Sequence, residues 1–165
     1  MAHIHELIDL TATTFIVHKD RVLIREHDKY GWWIGVGGHI ELDEHPLDTV
    51  KRECLEEVGL IVTIPGDNSK PAAETPRHDG SDTVYPLQPP RHMNIHRINE
   101  THQHLDLIYY ATSSTDEVIP EKPTDRWVWL TAEEVSTHPE MGEQTKLYAL
   151  GALETLGIKN ETISF

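Results

Sequence analysis

The stretch from Gly37 to Leu60, GGHIELDEHPLDTVKRECLEEVGL, constrains this chain more than any other. Its spacing predicts a helix from about Pro46 to Val58, because residues three and four apart lie on one side of a helix. Pro46 suits the first helical turn, and Gly59 suits the left-handed residue that often ends a helix. The helix carries an apolar stripe of Leu47, Val50, Cys54 and Val58 and an acidic stripe of Glu53, Glu56 and Glu57.

The acidic stripe has two interpretations. Clustered glutamates repel one another, so their placement is unfavourable unless solvent, the neighbouring Lys51 and Arg52, or bound cations offset the charge. A run of charges on a helix is usually a solvated face. A buried apolar stripe beside the carboxylates would instead hold them at the edge of a cleft, where they could bind a cation.

The order of residues around the helix resembles the signature of the Nudix hydrolase family. Gly38 is followed after five residues by Glu44, and after seven more by the sequence RECLEEVGL at residues 52–60. Every fixed glycine or polar position of that pattern is filled. The chain departs at Cys54, where the family usually has a branched aliphatic residue, and at Val36, where many members have proline. Neither departure removes a metal-binding carboxylate.

The resemblance implies an α/β fold, the Nudix-type α/β/α sandwich with a mixed central sheet. It implies an enzyme, a pyrophosphohydrolase, that hydrolyses the pyrophosphate bond of a nucleoside diphosphate linked to another group. Such a site must neutralise the phosphate oxygens and supply an activated water, and hard oxygen ligands suit Mg²⁺ or Mn²⁺. The metal ligands implied by the resemblance are Gly38, through its carbonyl, and Glu53, Glu56 and Glu57.

The resemblance also implies catalytic roles for residues that do not bind the metal. Arg52 would orient the carboxylates, with Glu44 as its partner. The general base would be one signature glutamate or a loop carboxylate, for which Asp116, Glu117 and Glu121 are candidates. The sequence does not choose among them.

Composition limits the class of partner and compartment. The 165 residues fit a single Nudix hydrolase domain over 1–165, and the formal net charge of −14 argues against a nucleic-acid polymer or an anionic membrane as an electrostatic partner. The single cysteine, Cys54, excludes an internal disulfide, and no run of residues reads as a membrane span or secretory signal. We therefore expect a cytoplasmic protein, and the family resemblance implies that it acts on a small-molecule nucleotide.

The remaining sequence predicts strands, two further helices and one long Pro-rich loop insertion at Pro65–Pro90. This loop contains six of the ten prolines and no sustained apolar period, which favours a substrate-side flap or an oligomer contact; a homodimer is left open. A capping-box pattern begins a short helix at Thr131. Predicted strands are Leu10–His18, Arg21–Glu26, Leu60–Ile64 and Arg126–Leu130, and the last predicted helix is Glu140–Leu156.

Two histidine-rich strands follow the loop, around a turn near Asn99 and Glu100. Alternation places His92, Asn94 and His96 on one face of the first strand and His102, His104 and Asp106 on one face of the second. Three hypotheses remain: a transition-metal site, since imidazole and carboxylate are suitable ligands; substrate binding by His102, His104 and Asp106; or an ordinary structural face.

The sequence selects the substrate only weakly. Pro76 lies 16 residues after Leu60, a spacing that the family resemblance associates with ADP-ribose or coenzyme A hydrolysis, so ADP-ribose or a nucleotide sugar is slightly favoured over a nucleoside triphosphate. Trp32 and Trp33 are interpreted as packing residues or as base-stacking residues. The alternatives from other classes are a non-catalytic module that senses nucleotide sugars and a carbon-protonating isomerase that uses cysteine, which the core position of Cys54 disfavours.

Overall fold

The computed structural model describes residues 8–27, 30–69 and 86–158. These residues form eight strands and three helices. The strands are β1 (Ile8–His18), β2 (Arg21–Glu26), β3 (Trp33–Ile34), β4 (Val36–His39), β5 (Val62–Thr63), β6 (His92–Arg97), β7 (Gln103–Ser113) and β8 (Trp127–Leu130). The helices are α1 (Pro46–Val58), α2 (Ala132–Thr137) and α3 (Glu143–Leu156).

Strand β1 lies at the centre of a mixed sheet. It pairs antiparallel with β2 and β4 and parallel with β7, over a register that runs from Ile8 opposite Gln103 to Val17 opposite Thr112. Strands β3 and β8 extend the sheet from β2, whereas β5 and β6 pair with β7. Parallel pairing requires a long crossover, which here contains α1 and the Pro-rich segment. The mixed sheet that the family resemblance implied is therefore confirmed.

Helices cover both faces of this sheet. On one face α3 packs against Phe15, Ile108 and Tyr110. On the other face α1 packs against Ala12, Ile16 and Tyr109 through the apolar stripe predicted from the sequence. All four residues of that stripe, Leu47, Val50, Cys54 and Val58, are at most 1% exposed. The α/β/α sandwich is confirmed, and the acidic stripe of α1 is held beside a buried surface.

Both ends of α1 are capped. At its start the His45 side chain accepts a hydrogen bond from the Asp48 N–H, and the Asp48 carboxylate accepts one from the His45 N–H. At its end Gly59 has φ 67°, and the Leu60 N–H donates to the Cys54 carbonyl at 3.0 Å. Pro46 and Gly59 are confirmed as the boundary residues, whereas the histidine N-cap was not predicted.

The remaining elements differ from the predictions mainly at their ends. Only Val62 and Thr63 of the expected Leu60–Ile64 strand pair, because β5 meets just the last two residues of β7 at the sheet edge. The final helix begins at Glu143 rather than Glu140, with Gly142 as its N-cap. Residues 65–69 and 86–90 belong to no helix or strand, and the rest of the predicted loop, Pro76 included, lies outside the described residues. Each described helix is too short or too polar to cross a lipid bilayer.

Candidate active site

Arg52 lies at the centre of the carboxylates predicted to form the site. Its guanidinium donates to both oxygens of Glu44, at 2.6 Å from Nε and 2.9 Å from Nη2. Nη1 donates to Glu53 at 2.6 Å and to Glu56 at 3.1 Å, and Nη2 also donates to the His39 carbonyl at 3.1 Å. These bonds lower the pKa of Glu44 to about 2 and raise the pKa of Arg52. The structure therefore brings together Glu44, Arg52, Glu53 and Glu56, as the signature implied.

Glu57 is held separately, by a buried ion pair. Arg25 Nη1 donates to Glu57 Oε1, and the side chains are only 9% and 14% exposed. The Gly37 N–H donates to Glu57 Oε2 at 3.2 Å. Arg25 was not among the predicted site residues, although the sequence contained one signal. Arg25 follows the apolar run Val22–Ile24, and a charged side chain in a strand that is buried on both faces needs a partner. Arg25 thus fixes one signature carboxylate against the glycine turn.

The paired glycines allow the backbone of β4 to approach both β1 and α1. Gly37 and Gly38 stand opposite Thr13 and Ala12 of β1. A Cβ atom added to Gly37 would lie 2.2 Å from the Ala12 carbonyl oxygen, whereas one added to Gly38 would lie 2.2 Å from Oε1 of Glu53. Gly37 is therefore required by the packing of the sheet, and Gly38 by the position of a signature carboxylate.

Alanine substitutions should separate these two requirements. We expect Gly37→Ala to destabilise the protein by about 1–3 kcal/mol, because the backbone of β1 must move. Gly38→Ala should leave the free energy of unfolding nearly unchanged but lower kcat by about 10–100-fold. The added methyl group would displace the Glu53 carboxylate, and a displacement of about 1 Å at a reacting centre has an effect of that size. Urea unfolding and steady-state kinetics on both variants give the comparison; equal effects of the two substitutions on both quantities would contradict this assignment.

The oxygen atoms of the signature carboxylates suit a hard divalent cation. Carboxylates of Glu53, Glu56 and Glu57 are present, and Gly38, whose carbonyl was the fourth expected ligand, lies in direct contact range of Glu53. Mg²⁺ and Mn²⁺ prefer oxygen ligands of this kind. In donor type these residues therefore fit the metal that the signature implies, while in this structure Glu53 and Glu56 bind Arg52 and Glu57 binds Arg25.

A cleft of about 600 Å³ extends from these carboxylates across the sheet face. Gly37, Gly38, Glu53 and Glu57 line its acidic end. Polar residues of the central strands line its wall, and an aromatic group lines the remaining side. The polar residues are Thr11, Thr13, Asn94, His96, His104 and Asp106, and the aromatic group is His27, Tyr30 and Trp32.

Of the three predicted substrate-binding residues, His104 and Asp106 line this cleft and His102 is not part of its lining. Asp106 is 7% exposed and accepts hydrogen bonds at 3.0 Å from the hydroxyls of Thr11 and Thr13. Burial raises the pKa of Asp106. Burial and the nearby histidines lower the pKa of His104 to about 4, so this imidazole is neutral at pH 7.

The two adjacent tryptophans have different environments. Trp33 is 7% exposed and belongs to the core layer under α3, as the packing interpretation predicted. Trp32 is 48% exposed, lines the cleft, and stacks on Tyr30 with ring centroids 4.7 Å apart and an interplanar angle of 21°. The base-stacking interpretation therefore fits Trp32 alone.

The three loop carboxylates considered as general bases do not line the cleft. Asp116 forms an ion pair with Arg21 at 2.7 Å, and the backbone N–H of Glu121 donates to the Glu57 carbonyl at 3.1 Å. Asp116, Glu117 and Glu121 are absent from the residues that line the cleft, whereas Glu41, which was not considered, is among them.

Known proteins resemble this chain in sequence and in fold. A family model described as the NUDIX domain matches residues 9–150. An uncharacterised Nudix hydrolase of Bacillus subtilis strain 168, YvcI, is 39% identical over 46 residues, a segment that is 28% of this chain and 29% of that relative. The solved structure of a NUDIX-family hydrolase from Clostridium perfringens is 32% identical, with a TM-score of 0.74, and the match covers 90% of this chain and 97% of that one.

A more distant structure is that of an Ap4A hydrolase from C. elegans, solved as a binary complex. It is 15% identical with a TM-score of 0.62, and the match covers 89% of this chain and 97% of that one. At this identity the likeness concerns the fold alone. The family model spans most of the chain, the Clostridium structure matches it nearly end to end, and the signature residues meet around Arg52. The chain therefore belongs to the Nudix hydrolase family.

Proposed function

We propose that this protein hydrolyses the pyrophosphate bond of a nucleoside diphosphate linked to another group, with Mg²⁺ or Mn²⁺ as the cofactor. The observation that carries the proposal is the convergence of Glu44, Glu53 and Glu56 on Arg52, because Glu53 also lines a cleft that has aromatic residues in its wall. Nudix enzymes generally use divalent metals, and the carboxylates of α1 provide oxygen ligands. A cation held there would neutralise phosphate oxygens and activate water.

Each protein group has a distinct part in this proposal. Glu53, Glu56 and Glu57, with the Gly38 carbonyl, hold the cation. Arg52 orients Glu53 and Glu56 and is itself fixed by Glu44, whose lowered pKa keeps it ionised at neutral pH. Arg25 holds Glu57 against the glycine turn.

The aromatic side of the cleft supports a nucleotide as the substrate. Every nucleobase has a face that stacks on an aromatic ring, so the exposed Trp32, backed by Tyr30, is a suitable platform. Polar groups of His104 and Asp106, on the far wall, suit the hydroxyls of a second moiety such as a sugar. We therefore favour ADP-ribose or a nucleotide sugar, with a nucleoside triphosphate as the next candidate; the distant Ap4A hydrolase shares the fold and does not select between them.

Removing the ring of Trp32 should weaken substrate binding. We expect Trp32→Ala to raise KM by about 5–150-fold with a smaller change in kcat, because base stacking contributes about 1–3 kcal/mol. Trp127→Ala is the matched control, since Trp127 is 37% exposed on β8 and is not among the residues that line the cleft. Equal KM values for the two variants would contradict the proposal that Trp32 stacks on the nucleobase.

A nucleotide panel distinguishes the enzyme from a sensor module. Incubation of the protein with Mg²⁺ and ADP-ribose, nucleotide sugars or nucleoside triphosphates, followed by product analysis, should show cleavage of one class at its phosphoanhydride. Tight binding of one nucleotide without cleavage of any would favour the non-catalytic alternative. The isomerase alternative is not supported, because Cys54 is fully buried and burial raises its pKa well above the usual range.

The proposal extends to partners and compartment. We propose a single domain over residues 1–165, a cytoplasmic location, and a small-molecule nucleotide as the only class of ligand used at the cleft, without a nucleic-acid polymer or a membrane. The net charge of −14 supports this, since a phosphate-rich polymer or an anionic bilayer would be repelled.

A further inference from the structure

Four side chains that occupy none of the fixed signature positions converge at the rim of the cleft. Asp9, His39, His102 and His104, here called the histidine cluster, each present one ligand atom, and these atoms all lie within 4.8 Å of one another. The residues are distant in sequence and are brought together by the sheet. Asp9 of β1 stands opposite His104 of β7, and His39 of β4 stands opposite Thr11, two residues along β1.

The spacing of the ligand atoms matches a tetrahedral metal centre. Nε2 of His102 is 3.0 Å from Nε2 of His104 and 3.4 Å from Oδ2 of Asp9, and Nε2 of His39 is 3.3 Å from the same Asp9 oxygen. A tetrahedral zinc ion with ligands at about 2.0–2.1 Å has ligand atoms about 3.3–3.4 Å apart. Two of these separations equal an edge of such a tetrahedron, the third is about 0.3 Å shorter, and the remaining pairs of ligand atoms lie within 4.8 Å of one another.

The donors of the cluster differ in kind from those around Arg52. Three imidazoles and one carboxylate suit zinc and similar transition metals, whereas the all-oxygen set of α1 suits Mg²⁺ or Mn²⁺. The ring of His104 lies 4.8 Å from that of His39 and 4.9 Å from that of His102, so protonated forms of these rings would repel one another. Asp9, His39 and His102 have side chains 37%, 54% and 24% exposed, which leaves a route for an ion from solvent.

We propose that the histidine cluster is a second metal site, which binds one Zn²⁺ through Asp9, His39, His102 and His104. Four protein ligands make a closed centre of the structural type. The ion joins β1, β4 and β7, and His39 directly follows Gly38, so the centre fixes the strand that carries the glycine turn. His102 thereby supports the cleft through the ion, whereas His104 would bind the ion through one ring nitrogen and keep the other for a substrate hydroxyl. The proposal goes beyond the hydrolytic function and holds whether or not the protein cleaves nucleotides.

Zinc binding by the metal-stripped protein tests this proposal directly. Competition against a chromogenic zinc chelator, in excess Mg²⁺ to occupy the α1 carboxylates, should give one equivalent of tightly bound Zn²⁺ per chain. His102→Gln and His39→Gln should each lower zinc affinity by at least about 10–100-fold, since changes even beyond the direct ligands have effects of that size. His92→Gln is the matched control: it removes a histidine from the neighbouring β6, is outside the cluster, and should retain the affinity.

Cobalt substitution provides a second readout that does not depend on activity. Co²⁺ at the cluster should show the strong visible absorption of tetrahedral coordination, which His39→Gln should abolish and Glu56→Gln should leave in place. His39 is 54% exposed, so its substitution should not prevent folding, and circular dichroism verifies this. Absence of a tight zinc equivalent, or equal zinc affinity in the wild type, His39→Gln and His102→Gln, would overturn the proposal without affecting the function proposed for the α1 carboxylates.

Discussion

Glu56→Gln and Glu57→Gln are each expected to lower kcat by at least about 100-fold. Glu56→Gln should leave the fold intact, whereas Glu57→Gln also removes the charge that compensates the buried Arg25 guanidinium and should lower the free energy of unfolding. Glutamine keeps the shape of the side chain but removes the charge that holds the cation, and electrostatic groups at a reacting centre have effects of about 10²–10³-fold. The side chain of Glu56 is 58% exposed, and among the described hydrogen bonds and ion pairs its only partner is Arg52. Its substitution should therefore not change the free energy of unfolding appreciably. Steady-state kinetics at saturating Mg²⁺ measures the effect.

Glu154→Gln is the control for this experiment, because Glu154 is an exposed carboxylate on α3, remote from the signature helix. It should retain wild-type kcat. Near-normal turnover by both Glu56→Gln and Glu57→Gln would contradict the proposed metal-binding roles, whatever the substrate.

Arg25→Met should destabilise the protein by about 3 kcal/mol, the largest stability effect that the site predicts. The substitution leaves Glu57, 14% exposed, without the guanidinium that compensates its charge, and removing one partner of a buried pair costs about 3–5 kcal/mol. The lower end of that range applies because the Glu57 carboxylate keeps some contact with solvent and the hydrogen bond from the Gly37 N–H. Urea unfolding followed by tryptophan fluorescence gives the free energy of unfolding.

Arg21→Met serves as the matched control, because the Arg21–Asp116 pair is 36% and 43% exposed and an ion pair in solvent contributes little to stability. The double variant Arg25→Met/Glu57→Met should recover most of the lost stability but no activity, since apolar groups often replace a buried pair without loss. Equal destabilisation by Arg25→Met and Arg21→Met would show that the Arg25–Glu57 pair is not buried as described.

The part of the site that sequence could predict is the part encoded by local spacing. Glu56, four positions after Arg52, must lie beside it once the helix forms, whereas helical spacing alone does not predict the contact of Arg52 with the next residue, Glu53. The apolar stripe determines which side of that helix is buried. The sequence therefore also predicted the side of the helix on which the carboxylates lie. Glu44 was predictable only through the resemblance to a known signature, because the turn before α1 has no helical period.

What sequence could not predict depends on strand pairing between distant segments. Arg25 reaches Glu57 from β2, which pairs with β3 just before the glycine-bearing β4, and nothing in either local pattern specifies that contact. The histidine alternation on β6 and β7 was visible, yet Asp9 and His39, which complete the cluster, come from other strands. Similarly, Trp32 and Trp33 are neighbours in sequence, and only the path of the chain places one in the core and the other at the cleft.

The most direct test of the central claim is product analysis after incubation of the wild type and Glu56→Gln with a panel of nucleoside diphosphate derivatives and triphosphates. The claim predicts that the wild type cleaves one class at the phosphoanhydride in Mg²⁺, that chelation of the metal stops the reaction, and that Glu56→Gln forms at least about 100-fold less product. No cleavage of any nucleotide by the folded wild type, or cleavage that persists in Glu56→Gln, would contradict it.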